Sequence, residues 1–391
     1  MPLKRERLRQ IALAVAGATI GAMALQLLGA HGLLLANGLP VFGDFLAFWS
    51  AGRLALEGHA EEAYSIAAIS TVQNGAFPGL NVVFPWRHAP MFLLFVAPLA
   101  ALPFPAAALV FLALSGGLYL HAARKAAPDP RDLLFAAALP TALLHIGSVQ
   151  TGLVLAGLAM LALIWLDRRP LAAGACIGLM AIKPHLGVLW PIMLAVQGRW
   201  RAFASATAVV LALTLVAGWL FGFGLLPHFI DAMREGLSAV ERGLAPADTF
   251  ASLYASLRGF GAPASLALTL HLISAAAATG IAIAIWRGKD AEASAAAFAA
   301  ATLLVSPYLF FYDQTLLIIA VGALYRRASP REALWLAFAW IAGALSLAIG
   351  KVAPLPICPV AAWGCLMLAA RRARVFPDAT HHMRKAPDQP R

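Results

Sequence analysis

The sequence predicts an all-α polytopic membrane protein, with about 12 transmembrane helices, one short or re-entrant segment, and both termini on the inner side. Three observations predict it. The chain is 61% hydrophobic and only 12% charged, whereas a soluble domain averages about 45–50% apolar and about 25% charged. Its apolar runs repeatedly approach the roughly 20 residues that a helix needs to cross a bilayer. Its basic residues sort by side: 22 of the 29 Lys and Arg fall in the proposed inner segments and six in the outer ones, with Lys183 alone in the middle of an apolar run. That asymmetry orients a membrane protein. It also removes the reading that a net charge of +11 invites. Short basic clusters between apolar runs mark topology, so no nucleic-acid partner is expected.

The elements follow in order. Residues 10–35 form the first span, behind Lys4, Arg5, Arg7 and Arg9. This run is too long for a signal-peptide core and no clear cleavage site follows, so it is kept as a span. Residues 36–88 form a long outer loop. Residues 89–102 are apolar but short, and Pro90 and Pro98 interrupt them. A full crossing there would invert everything downstream, so a re-entrant or partly inserted segment is expected. Residues 104–121 span and end at Arg124 and Lys125. Two spans at 131–146 and 149–166 are joined by the uncharged turn Gly147-Ser148-Val149-Gln150-Thr151-Gly152.

Residues 170–197 are too long for one span and have basic clusters at both ends, so a hairpin is expected with Lys183 at its outer turn. Residues 201–224 rise, 225–262 form the second outer loop, and 263–286 return. The hairpin logic repeats over 291–326, which turns near Ser306-Pro307-Tyr308 and Tyr312-Asp313. Residues 332–350 and 354–370 close the bundle. Residues 1–374 are thus one integral membrane domain, and 375–391 read as a disordered cytoplasmic tail. Cys176, Cys358 and Cys365 stand at no metal spacing and read as small buried hydrophobes.

This topology brings the polar residues of five segments to one side of the membrane. Asp44 lies beside the end of the first span and leads into Phe45, Phe48 and Trp49, whose spacing suits a helix lying in the interface. A helix N-cap and a catalytic base both suit Asp44. Arg87 and His88 sit at the mouth of the short segment, either snorkelling to the interface or forming a cationic lip for an anionic lipid head. Lys183 is costly at its depth, about 2.5–3.5 kcal/mol on insertion scales. Such a cation calls for an anionic partner or ligand, unless a short helix lets it reach the surface. Pro184 and His185 beside it suit a helix break that lines a cavity. Gln150 is a turn residue or a donor to sugar hydroxyls. Tyr308, Tyr312 and Asp313 top the last hairpin, where Asp313 can pair with Lys183 or Arg87, or bind acceptor hydroxyls. No Walker loop, Rossmann glycine pattern or nucleophile elbow is present.

These motifs, in this order, resemble glycosyltransferase family 87. The resemblance rests on Gly43-Asp44-Phe45, Phe48-Trp49-Ser50-Ala51-Gly52-Arg53, Gly58 and Ala63-Tyr64 in the first outer loop. It continues through Ala97-Pro98-Leu99, Gly147 to Gln150, Asp167-Arg168-Arg169-Pro170, Lys183-Pro184 and Arg199-Trp200-Arg201-Ala202, and closes with Ser306 to Asp313. It covers about residues 40–325. The chain departs from the family's usual pattern at Arg87-His88-Ala89-Pro90, Gln150-Thr151 and Lys183-Pro184-His185, all in the presumed pocket.

The resemblance implies a GT-C-type bundle in the plasma (inner) membrane, with its active site facing the non-cytoplasmic side. It implies transfer of a hexose, mannose in the best-understood members, from a polyprenyl-phosphate sugar to a hydroxyl of a lipid or glycan acceptor. Asp44 matches the position of the usual base, an ordinary carboxylate ionised at neutral pH. Lys183, helped by Arg87, would bind the donor phosphate. Gln150, His88, His185, Tyr308 and Asp313 would meet the sugar or acceptor. A monophosphate leaving group can rely on such cations, so no metal and no cofactor are expected. The competing class is a polytopic transporter or lipid-linked sugar flippase, which many spans and broken hairpins also suit. Clustering of polar residues on one side and the lack of an inverted repeat count against it.

Overall fold

The computed structural model describes residues 5–127, 129–242, 249–350 and 352–375. Lys351 and, beyond Val375, the tail expected to be disordered lie outside the described residues. Among the described residues the regular elements are all helices, with β-pairing confined to isolated bridges. The chain opens with α1 (Arg5–Leu28), α2 (Phe45–Leu56), α3 (Ile66–Ala76), α4 (Leu93–Ala100), α5 (Phe104–Ala126), α6 (Pro130–Ala137) and α7 (Pro140–Ser148). It continues with α8 (Gly152–Trp165), α9 (Pro170–Leu179), α10 (Trp190–Val196), α11 (Trp200–Phe221), α12 (Leu225–Glu241) and α13 (Leu253–Gly259). It ends with α14 (Ala264–Trp286), α15 (Ala291–Val305), α16 (Ile318–Tyr325), α17 (Pro330–Gly350) and α18 (Ile357–Arg372).

Five of these, α1, α5, α11, α14 and α17, are long and apolar enough to cross a membrane. Most of the other expected crossings are shorter apolar helices, because proline interrupts the runs. Pro140 splits α6 from α7, and Pro184 separates α9 from α10. Proline lacks the N–H of an interior helical residue and pushes the residue before it out of the helix. Lys183 accordingly leaves the helical region, with φ −135° and ψ 78°. The long helices leave most of each spanning window unburied, as lipid contact allows. The core is built instead from α8, α15 and α18, whose apolar side chains are buried. Cys176, Cys358 and Cys365 are free and buried within it.

Both expected hairpins close at their bases. Arg199 pairs with Asp167 across the ends of the 170–197 segment. Arg326 and Arg327 reach Glu292 at 3.9 and 3.5 Å across the ends of the 291–326 segment. Lys183 and the 306–313 turn therefore lie at the far tips. Gly174 and Gly178 let α9 settle onto α11: a methyl at position 178 would lie 2.7 Å from Val209 Cβ and 2.8 Å from the Ala206 carbonyl oxygen. Such small-residue faces replace hydrophobic driving force where lipid is the solvent.

The short segment at 89–102 holds a 3₁₀ turn, Pro90–Phe92, and then α4. At 1.5 Å per helical residue it cannot cross a core about 30 Å thick. It packs under α2, and this corrects one expectation. α2 carries no exposed stripe of aromatics of the kind expected for a helix lying in the interface. Phe45 and Phe48 are buried, and Phe48 meets Phe92 and Phe111 at ring-centroid distances of 5.1 and 5.7 Å. The aromatic spacing faces protein rather than lipid.

Candidate functional site

Asp44 is the N-cap residue of α2 by position, yet its side chain makes no capping bond. The carboxylate is set deep among other elements, within hydrogen-bonding reach of the Gln150 side chain and in the field of Lys183. Part of the residue stays accessible. Burial raises its pKa from the usual carboxylate value to about 6, against the pull of Lys183 and Gln150. The expectation of an ordinary carboxylate is corrected here: desolvation disfavours the charged form more than its partners favour it. At neutral pH it is still mostly ionised.

Lys183 arrives from the tip of the α9–α10 hairpin. Its Nζ lies 2.5 Å from Asp313 Oδ1, and both residues are buried. The other Asp313 oxygen accepts the Phe310 N–H at 3.0 Å, fixing the carboxylate in its turn. The ammonium also lies 4.9 Å from the centre of the Tyr312 ring. Of the partners open to Asp313, Lys183 is the one taken. Tyr312 lies within electrostatic reach of both Asp44 and Asp313.

Gln150 follows Val149, which closes α7 in the left-handed region at φ 50°. A β-branched residue there is a true outlier. The turn aims the buried Gln150, whose Oε1 accepts the Thr151 N–H at 3.1 Å, leaving its amide N–H groups for Asp44. His145, one turn earlier, is fully buried with Nε2 3.3 Å from Thr315 Oγ1. Thr315 in turn donates to the Tyr312 carbonyl at 2.8 Å. His145 was not singled out in the sequence, although a polar side chain in an apolar span is itself a signal.

Arg87 donates to the Tyr308 hydroxyl at 3.4 Å and lies against α12. A methyl at Gly236 would collide with its guanidinium. Among the described residues no carboxylate lies within ion-pair distance of Arg87. His88 is buried in an aromatic box of Phe48, Trp86 and Phe92. Its backbone carbonyl accepts the Tyr64 hydroxyl at 2.9 Å. Burial and Lys183 hold its pKa well below the ordinary value, so the ring is neutral. Both of its ring nitrogens, and Nε2 of His185, lack protein partners among the described residues. His185 faces Tyr308 with ring centres 6.3 Å apart.

The 225–262 segment bonds to this cluster. The Ala251 N–H donates to the Leu309 carbonyl at 2.8 Å, and Ser252 Oγ to that of Pro307 at 2.6 Å. All eight residues singled out in the sequence thus belong to one region built from α2, the 3₁₀ turn at 90–92, the α7–α8 turn and two hairpin tips. Among the described residues no group of three or more His, Cys, Asp or Glu is arranged to hold a metal ion. The arrangement offers a half-buried aspartate in the field of a buried ammonium, a guanidinium with no carboxylate partner among the described residues, and imidazoles whose ring nitrogens lack protein partners there. It suits an anionic substrate with several hydroxyls.

No curated protein and no solved structure matches the chain. The model of glycosyltransferase family 87 matches residues 86–307. The match takes in Arg87, His88, Gln150, Lys183 and His185. Asp44 precedes it, and Tyr308 and Asp313 follow it; geometry rather than the match joins these three to the site. The matched segment is more than half of the chain, and the protein belongs to glycosyltransferase family 87.

Proposed function

We propose that this membrane glycosyltransferase moves a hexose, mannose in the first instance, from a polyprenyl-phosphate sugar to a hydroxyl of a lipid or glycan acceptor. The observation that carries the proposal is the placement of Asp44, freed from capping and partly accessible, opposite Lys183. In this reading Asp44 takes the proton of the acceptor hydroxyl as its oxygen attacks the anomeric carbon. The bond from that carbon to the phosphate oxygen breaks, and the phosphate leaves with the electron pair. Attack from the face opposite the leaving group inverts the anomeric centre. Lys183 and Arg87 hold the phosphate as its charge grows, in a site where low polarity strengthens the attraction.

Gln150 aligns Asp44, and Asp313 holds Lys183 in place rather than meeting the acceptor. His88, His185 and Tyr308 supply hydrogen-bonding atoms to sugar hydroxyls. The basic-residue distribution supports about 12 crossings, inner termini and a site on the non-cytoplasmic face of the plasma membrane. Purified protein, given labelled polyprenyl-phosphate mannose and membrane lipid extract, is expected to transfer the label with release of polyprenyl phosphate. Movement of intact donor across a vesicle bilayer without bond cleavage would overturn the reading in favour of a flippase.

A further inference from the structure

A cavity lies at the opposite end of the bundle, where the hairpin bases meet. It has a volume of about 720 Å³ and is lined by none of the eight residues of the Asp44 region. Its walls are apolar, with Leu163, Trp286, Ile319 and Trp340 among them. Its charged lining is Arg199, Arg326, Arg287 and Lys289 against the carboxylates of Asp132, Asp167 and Glu292, a net positive balance. The first two are engaged, Arg199 by Asp167 and Arg326 by Glu292. Arg287 and Lys289 follow α14, are exposed, and have no carboxylate within ion-pair distance among the described residues.

We propose that this cavity is a binding site for one anionic phospholipid, its acyl chains in the apolar interior and its phosphate at Arg287 and Lys289. The volume falls in the range of true ligand cavities, about 300–1,000 Å³. Apolar walls in a membrane protein are best filled by hydrocarbon. A basic opening between transmembrane helices selects an anionic headgroup, each cation near the surface adding to the attraction. A headgroup without chains would leave the walls unfilled, and a neutral lipid would leave the two cations uncompensated. Gly322 lines the same cavity and has open space where a side chain would stand.

Native mass spectrometry of the full-length protein tests this, after delipidation in detergent and incubation with equal amounts of phosphatidylglycerol and phosphatidylcholine. One phosphatidylglycerol per chain is expected, retained about tenfold over phosphatidylcholine. Arg287→Gln with Lys289→Gln is expected to abolish that preference. Gly322→Phe, which fills the cavity, is expected to lower retention of both lipids. Equal retention of the two lipids by the wild type would overturn the proposal, as would unchanged phosphatidylglycerol retention in the double variant. Displacement of the lipid by millimolar glycerol phosphate would assign the site to a free anion and overturn it equally. Both cations are exposed, so the double variant is expected to fold and the test stands without Gly322→Phe.

Discussion

The two ends of the same hairpins carry opposite electrostatic designs. At the bases, the Arg199–Asp167 pair has side chains 39% and 66% exposed. At the tips, the Lys183–Asp313 pair has side chains 6% and 0% exposed. Exposed pairs contribute about 0–1 kcal/mol, whereas burying two charges costs several kcal/mol per ion before attraction offsets it. A chain that needed only to close its hairpins could do so with pairs of the first kind. The tips retain the costly kind and place Asp44, with its burial-raised pKa, and the unpaired Arg87 in the same region. That expense is understandable if the tips meet a charged substrate.

The largest effect that would sharpen this contrast is at Asp44. Asp44→Asn is expected to lower transfer by about 10²–10⁴-fold, the contribution of a general base. The sign of its pKa shift predicts no accompanying loss of fold. A carboxylic acid with a raised native pKa opposes folding once ionised, so stability falls as pH rises from the usual carboxylate value through about 6. The neutral Asn variant escapes that cost and is expected to melt no lower than wild type at pH 7. Near-normal turnover would remove Asp44 from the mechanism.

The next test separates structure from chemistry at Lys183. Removing either partner alone strands a buried charge and is expected to cost about 3–5 kcal/mol. Lys183→Met combined with Asp313→Asn strands neither, and Asn retains an acceptor for the Phe310 N–H. The double variant is expected to regain most of the thermal stability while donor-dependent transfer stays lost. Recovery of transfer along with stability would make the pair a structural strut, like those at the bases.

The charged tips were legible in the sequence because lysine and aspartate are rare and expensive in apolar segments. Pro184 told where the helix must break, and the basic clusters told which ends must meet. α2 differs from the sequence expectation for a physical reason: aromatic spacing of three and four reports apolar surroundings and cannot say whether lipid or protein supplies them. The pKa of Asp44 depends on burial by elements distant in sequence. The same holds for His145 against Thr315, 170 residues on, and for Gly236 beneath Arg87. No local pattern marks a glycine whose missing side chain accommodates a remote guanidinium.

Two intermediate effects follow from those distant contacts. Transfer is expected to fall about tenfold per pH unit below about 6 and to level off above it, as Asp44 loses its proton. A rate independent of pH between 4.5 and 7 would contradict the assignment. Gly236→Ala is expected to displace Arg87 from its place beside Tyr308, raising the KM for the lipid-phosphate donor and lowering kcat, about tenfold together in kcat/KM, because Arg87 meets a phosphate whose charge grows in the transition state. An unchanged donor KM would leave Arg87 outside the phosphate site.

The smallest expected effect lies at the bases, and it completes the comparison. Asp167→Asn with Arg199→Gln removes an ion pair that water already screens. It is expected to change stability by less than about 1 kcal/mol and to leave transfer kinetics within twofold, measured by thermal melting in detergent and by the same donor assay. The hairpin there is held by helix packing, Gly174 and Gly178 of α9 against α11, and not by the charges that mark its ends. A loss comparable to that of Lys183 would mean that base and tip are electrostatically alike. The burial of the tip would then report folding rather than catalysis.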